Sequence, residues 1–323
     1  MLTSNDPLLA LSDLSVRFTL RGSTFSAVRS LSLTIPRSTI VGLVGESGCG
    51  KSLTARAILR LPPQNASLSG QILFHGANLL DVPEEAMRAL RGRHISMIFQ
   101  EPQTALNPVL TVGHQAQEVL EIHRPDTKNA MRERVLELFS QVGIPNADLR
   151  YASYPHELSG GMRQRVMIAM SLLGDPELLL ADEPTTALDA TMRQQILFLL
   201  LEQSAARGMS ILCISHDLDL VRSFAETVAV MYAGRLVEQA SVAELFSHPL
   251  HPYTKGLLAA SPSALKPGVR RLTTIPGAVP QLTAMPKGCP FAPRCSLASD
   301  PCRKDFPPRC GDASHAVYCW NPL

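Results

Sequence analysis

The chain contains no apolar run approaching the ~20 residues that a membrane-crossing helix needs, so any tie to a membrane is expected to come through a partner. Its first residues, Met1-Leu2-Thr3-Ser4-Asn5-Asp6, lack the basic-then-apolar order of a secretory leader, and a cytoplasmic location is the expectation. A basic cluster is missing too. Thirty Lys and Arg stand against 28 Asp and Glu, a net charge of +2, which gives no electrostatic case for nucleic acid as a partner. None of the seven cysteines forms a Cys-x-x-Cys pair, the spacing that most zinc sites show.

What is present fits a globular α/β protein. The 323 residues, 45% hydrophobic and 18% charged, suffice for one large domain with an appendage or for two domains. The organising stretch is Gly45-Glu46-Ser47-Gly48-Cys49-Gly50-Lys51-Ser52. It follows an apolar run, Ile40 to Val44, that reads as a buried strand, and it opens a helix expected over Leu53 to Leu61, which Pro62-Pro63 stops. Strand, glycine-rich turn and helix start together suit a phosphate loop, whose N–H groups and helix dipole face an anion. Gly45, Ser47, Gly48, Cys49, Gly50, Lys51, Ser52 and Leu53 form the expected nucleotide-contacting set. In it Lys51 supplies charge to the outer phosphates and the Ser52 hydroxyl ligates Mg²⁺. Cys49 is read first as a small residue filling space; if it lies in the phosphate cradle, the helix start and Lys51 should favour its thiolate.

Residues 8–40 alternate apolar and polar and break at Arg21-Gly22-Ser23, which predicts an antiparallel hairpin. Gly70 to Gly76 and Ile95 to Phe99 read as further strands. Met131, Val135, Leu138 and Val142 then mark one face of a helix that Gly143 ends. Residues from about 103 to 165 are read as a mainly helical insertion. Strand and helix alternate again from Leu178 to Ala225, and Val228 to Glu238 reads as a hairpin about Ala233-Gly234. The expectation is a mainly parallel sheet covered on both faces. Composition shifts near Pro249. Thirteen of the 25 prolines and five of the seven cysteines lie from Pro249 onward, so the tail is expected to wrap the main body or to be stapled by its cysteines.

Cleaving a phosphoanhydride needs neutralised charge and an oriented water. Asp182, at the mouth of the Leu178 strand, is placed to hold Mg²⁺, and Glu183 to act as general base on the water. Gln100 could reach both metal and water, and His216 a terminal phosphate, although each taken alone is as easily a structural residue.

Leu158-Ser159-Gly160-Gly161-Met162-Arg163-Gln164-Arg165 decides among readings. With it the chain resembles the ATP-binding-cassette family over roughly residues 8–250, with Met162 where most members carry Gln. The phosphate loop, Gln100, this signature, Leu178 to Glu183, Thr186-Ala187-Leu188-Asp189 and His216 follow in family order. The resemblance implies a P-loop fold with an antiparallel β subdomain and a helical insertion, ATP and Mg²⁺ as ligands, and ATP hydrolysis. It also implies that Ser159, Gly160 and Gly161 bind the γ-phosphate held by an opposite cassette. With one phosphate loop, the chain must pair with a second ATPase subunit, expected to be a different chain. Phe18 is similar in position to the aromatic that stacks on adenine, though core packing would explain it equally.

Gly45-Glu46-Ser47-Gly48, Gln100-Glu101-Pro102-Gln103-Thr104-Ala105-Leu106-Asn107-Pro108, Ser159 to Met170, His251-Pro252-Tyr253-Thr254 and Gly288 to Cys295 resemble the ATPase subunits of bacterial dipeptide, oligopeptide and nickel permeases. This implies attachment to two transmembrane permease subunits at the cytoplasmic face of the membrane, served indirectly by an extracytoplasmic solute-binding protein. It also implies a [4Fe–4S] cluster on Cys289, Cys295, Cys302 and Cys319 in the extension 251–323, with Cys310 spare. Zinc, or no metal, are the alternatives for those thiols. A soluble cassette acting on ribosomes and an iron–sulfur redox protein are the competing functions; the first usually carries two cassettes, and the second needs exposed, redox-active cysteines.

Overall fold

The computed structural model describes residues 6–20, 22–100, 105–185, 190–264, 274–312 and 314–323. The chain forms two compact units, one made of residues 1–81 with 213–323 and the other of residues 82–212.

The first unit begins with two long antiparallel strands, β1 (Leu9–Leu20) and β2 (Ser23–Ile35), in the register Leu9↔Ile35 to Leu20↔Ser23. Leu9, Leu11, Leu14, Val16, Leu31, Leu33 and Ile35 are buried, the one-sided alternation of a half-covered sheet. Strand β3 (Ile40–Val44) is buried at every residue, as a run with no polar alternation requires. Helix α1 (Lys51–Ile58) starts two residues earlier than Leu53, because Gly50 in a left-handed conformation (φ 107°) caps it. Strand β4 (Ala66–Phe74) pairs with β1, and β5 (Ala77–Asn78) with β4, closing an antiparallel sheet.

The second unit opens with α2 (Glu84–Leu90) and β6 (Ile95–Ile98). Three helices follow: α3 (Val112–His123), α4 (Lys128–Gln141) and α5 (Ala147–Tyr151). The Thr127 hydroxyl caps α4 by accepting from the Ala130 N–H at 3.3 Å. The expected stripe of Met131, Val135, Leu138 and Val142 is buried, joined by Phe139. Helix α6 (Gly160–Leu172) leads into β7 (Leu178–Asp182), which runs parallel to β6 with Ile95 opposite Leu178. Helix α7 (Ala190–Arg207) completes this unit.

Strand β8 (Ser210–Ser215) carries the chain back to the first unit. There α8 (Leu218–Phe224) is capped by Asp217, which accepts from the Leu220 N–H. Strand β9 (Thr227–Tyr232) runs parallel to β3, and β10 (Arg235–Ser241) returns antiparallel to β9. Helices α9 (Val242–Ser247), α10 (Pro252–Ala260) and α11 (Asp300–Lys304) follow.

The tail does more than wrap. Its last strands, β11 (Arg309–Gly311) and β12 (His315–Tyr318), extend the sheet, with β12 antiparallel to β10. Glu238 of β10 is fully buried. It accepts from the Leu250 and His251 N–H groups at 2.7 and 2.9 Å and pairs with the His315 ring at 2.8 Å. One buried carboxylate with three partners thereby holds both the entry to α10 and the final strand.

Candidate functional site

The phosphate loop lies between β3 and α1 and is shaped by close backbone contacts. A Cβ on Gly45 would stand 2.1 Å from the Met231 carbonyl oxygen, and one on Gly50 2.9 Å from that of Ala27. Only glycine allows this approach. Lys51, 5% exposed, donates to the carbonyls of Gly45 (2.8 Å) and Glu46 (3.1 Å). The loop is thus a cradle with its ammonium group held at the wall, a donor set that suits polyphosphate. Ser47 and Gly48 face solvent, and Ser52 and Leu53 are half-buried.

Cys49 fills space within the loop, as its small size allows. Its thiol is fully buried, and desolvation pushes its pKa up despite the opposing pull of Lys51. The group is therefore a protonated space-filler, not an activated thiolate, because burial outweighs one nearby positive charge. Phe18 sits half-buried on β1, opposite Phe25 and Ala66. His216 is exposed at the bend directly after β8.

In the second unit the predicted acidic pair stands at the end of β7. Asp182 is 2% exposed. Glu183 adopts a left-handed backbone (φ 47°), a conformation that costs about 1–3 kcal/mol in a residue with a side chain and collects at functional sites. Gln100 Nε2 donates to Glu183 Oε2 at 3.2 Å. The structure therefore brings together two of the candidate site residues, 83 positions apart in the chain. A buried third residue, which the sequence reading left without a role, supports them: Gln164 Nε2 donates to the Pro184 carbonyl at 2.7 Å. Its signal was a glutamine on the apolar side of the signature helix.

Ser159 caps α6, its hydroxyl accepting from the Met162 N–H at 3.3 Å. Ser159 and Gly160 are exposed, and a Cβ on Gly160 would meet nothing within 4 Å among the described residues. Thr186 to Asp189, and Glu101 to Thr104, lie outside the described residues.

Cys289, Cys295, Cys302 and Cys319 line one cavity, with room for about one water (about 10 Å³); Cys310 is exposed on β11. Burial raises the thiol pKa of Cys289 and Cys295 and takes that of Cys319 to about 11. Among the described residues, no group of three or more His, Cys, Asp or Glu is arranged to hold a metal ion. The expected cluster geometry is thus not met as the cysteines stand; what they share is a cavity wall. His251 lines the same cavity. Its Nδ1 accepts from the Tyr253 N–H at 3.0 Å, and burial lowers the ring's pKa to about 3. The neutral ring therefore carries its proton on Nε2, and that buried N–H has no hydrogen-bond partner among the described residues.

Comparison with known proteins gives two family matches. The model described as "ABC transporter" matches residues 28–186, and the one described as "Oligopeptide/dipeptide transporter, C-terminal region" matches residues 237–302. The dipeptide transport ATP-binding protein DppD of Bacillus subtilis (strain 168) is 46% identical over 318 residues, 98% of this chain and 95% of its own length. A probable peptide ABC transporter ATP-binding protein of Sinorhizobium fredii is 45% identical over 319 residues, 98% of this chain and 95% of its own length. Among solved structures, an ATP-binding cassette in a dimeric, post-hydrolysis state bound to ADP and phosphate superposes with a TM-score of 0.66 at 25% identity. The match covers 72% of this chain and 98% of that one. A cassette of Clostridium perfringens, part of an ABC transporter complex, gives 0.64 at 27% identity over 75% and 92% of the two chains.

Proposed function

The chain belongs to the ABC transporter family as an ATP-hydrolysing subunit, and from that premise we propose that the import it drives is of di- and oligopeptides. One observation carries the substrate class: the C-terminal region model for oligopeptide and dipeptide transporters covers residues 237–302, beyond the cassette match. Relatives named for peptide transport, similar over almost the whole chain, support it.

In this reading residues 1–250 are the cassette, with a helical insertion at about 103–165, and 251–323 are an extension. Lys51 and the loop N–H groups bind the phosphates of ATP. Ser52, Asp182 and Gln100 would hold Mg²⁺, which when bound neutralises phosphate charge. Glu183 takes the proton of the attacking water, with Gln100 orienting it. His216 steadies the terminal phosphate, and Phe18 offers a face to adenine. Ser159, Gly160 and Gly161 serve the nucleotide of a second cassette, a different chain. No helix among the described residues is long and apolar enough to cross a membrane, so two permease subunits anchor the pair peripherally at the cytoplasmic face of the membrane. A solute-binding protein delivers the peptide. The test is ATP turnover by the assembled transporter in vesicles. Binding protein loaded with dipeptide should stimulate phosphate release; stimulation by nickel alone, or by neither, would replace the peptide reading.

The extension is further proposed to hold a [4Fe–4S] cluster, for which Cys289, Cys295, Cys302 and Cys319 would supply the thiolates. The His251 Nε2–H, without a partner among the described residues, supports an occupant rich in acceptor atoms, and sulfide or thiolate would accept it. The cavity is smaller than such a group, so loading must spread the irregular segments around it. When bound, the cluster supplies metal–thiolate bonds that hold those segments in one conformation. Protein purified without oxygen should carry about four irons per chain. Cys289→Ser and Cys302→Ser should lose them, and Cys310→Ser should not. One zinc per chain, or no metal, would overturn the cluster.

A further inference from the structure

The cysteine-bearing segment reaches the phosphate loop through one side chain. Arg294, adjacent to Cys295, lies at the end of a short 3₁₀ turn, Ala292–Arg294, and its side chain is only 5% exposed. Its Nη1 and Nη2 donate to the two carboxylate oxygens of Glu46 at 2.6 and 3.0 Å. Nη1 also donates to the Tyr232 hydroxyl at 3.2 Å, Nη2 to the Ile275 carbonyl at 3.3 Å, and Nε to the Pro276 carbonyl at 2.8 Å. All five donors of the guanidinium fork are engaged.

Glu46 is the second residue of the phosphate loop, and it is clamped at three points. Its carboxylate is held by Arg294. Its backbone N–H donates to the Tyr253 hydroxyl at 2.9 Å. Its carbonyl accepts from Lys51 at 3.1 Å. Tyr253 follows His251 on the first turn of α10, so that turn touches the cysteine cavity with one residue and the phosphate loop with another. Phe291, two residues after Cys289, packs on Tyr232 and Tyr253 with ring centres 5.2 and 5.3 Å away. The Cys289 N–H donates to the Cys302 carbonyl at 2.8 Å and the Arg294 N–H to that of Phe291 at 2.9 Å. Whatever orders the cysteine segment therefore also orders Arg294.

We infer that the cysteine-bearing extension sets the phosphate loop through Arg294, a positioning residue, so that nucleotide affinity falls when the extension loosens. This rests on the nucleotide-site reading above and does not depend on which metal, if any, the cysteines hold. Glu46 and Lys51 share a carbonyl–ammonium contact, so a displaced Glu46 moves the charge that meets the phosphates. A positive charge alone would not serve, because lysine cannot reproduce a two-pronged carboxylate contact.

The experiment is the MgATP Kd of the full chain by equilibrium titration, with melting temperature and iron content measured on the same samples. Arg294→Gln and Arg294→Lys should each raise Kd roughly tenfold, the scale of a lost charge-assisted contact. Glu46→Gln should do the same, and the double variant Glu46→Gln/Arg294→Gln should bind no more weakly than the worse single one. Cys302→Ser should raise Kd in the wild-type background and leave it unchanged in Arg294→Gln. A folded Arg294→Gln chain binding within about twofold of wild type, an additive double variant, or full affinity in Arg294→Lys would each overturn the inference. Should Arg294→Gln not fold, Glu46→Gln carries the test by the same criterion. Wild-type chain that binds no MgATP would refute the nucleotide reading instead. Iron absent from every sample would refute only the cluster.

Discussion

Glu183→Gln is expected to leave MgATP binding intact and to lower hydrolysis by the assembled transporter roughly 10²- to 10⁴-fold, the usual contribution of a general base. Glutamine keeps the size of the side chain and an oxygen that can still accept from Gln100 Nε2, so the 3.2 Å contact survives. What is removed is basicity. The position also carries conformational strain, since Glu183 has φ 47° at a cost of about 1–3 kcal/mol. Glu183→Gly should therefore abolish turnover and at the same time raise the melting temperature, because glycine adopts that conformation without penalty. A catalytic role predicts activity and stability moving in opposite directions, and a merely structural carboxylate predicts them falling together. Phosphate release and thermal melting of the two variants decide it, and near-normal release by Glu183→Gln would remove Glu183 from the mechanism.

The residues that were legible in the sequence are those whose neighbours lie close in the chain or whose pattern leaves one solution. Strands β3, β6 and β8, and β7 up to its closing Asp182, are unbroken apolar or small runs, and each of the four is buried at every position. The stripe on α4 faces the interior as its spacing requires. The phosphate loop was legible because its glycines, lysine and serine are contiguous. Contacts between distant positions were not. Arg294 and Glu46 are 248 residues apart, and β12 has only four residues to announce that it pairs with β10. Glu238 reads as an ordinary surface carboxylate in a short hairpin, and nothing local signals that it is buried under three donors. Cys49 shows the same limit in electrostatics. Its charged neighbour is two residues away and visible, whereas the desolvation that dominates its thiol depends on burial by distant parts of the chain, Tyr253 among them.

Gly160→Asp is expected to separate the chain's own nucleotide site from its service to a partner's. Gly160 is the first residue of α6, and a Cβ there meets nothing within 4 Å among the described residues. The substitution therefore introduces no clash, and an acidic residue in the first turn is favoured by the helix dipole. The melting temperature of the isolated chain should be unchanged or slightly raised, and its MgATP Kd unchanged, because the phosphate loop is untouched. Turnover by the assembled transporter should nevertheless fall by about 10²-fold or more, the scale set by losing one anion-stabilising donor. A carboxylate would now stand where the N–H groups after Ser159 are proposed to meet a γ-phosphate, and like charges repel. Measuring binding on the chain alone and phosphate release on the assembly separates the two effects. Wild-type turnover by Gly160→Asp would show that the signature end of α6 meets no phosphate. A matching loss of affinity in the isolated chain would show instead that it belongs to the chain's own site.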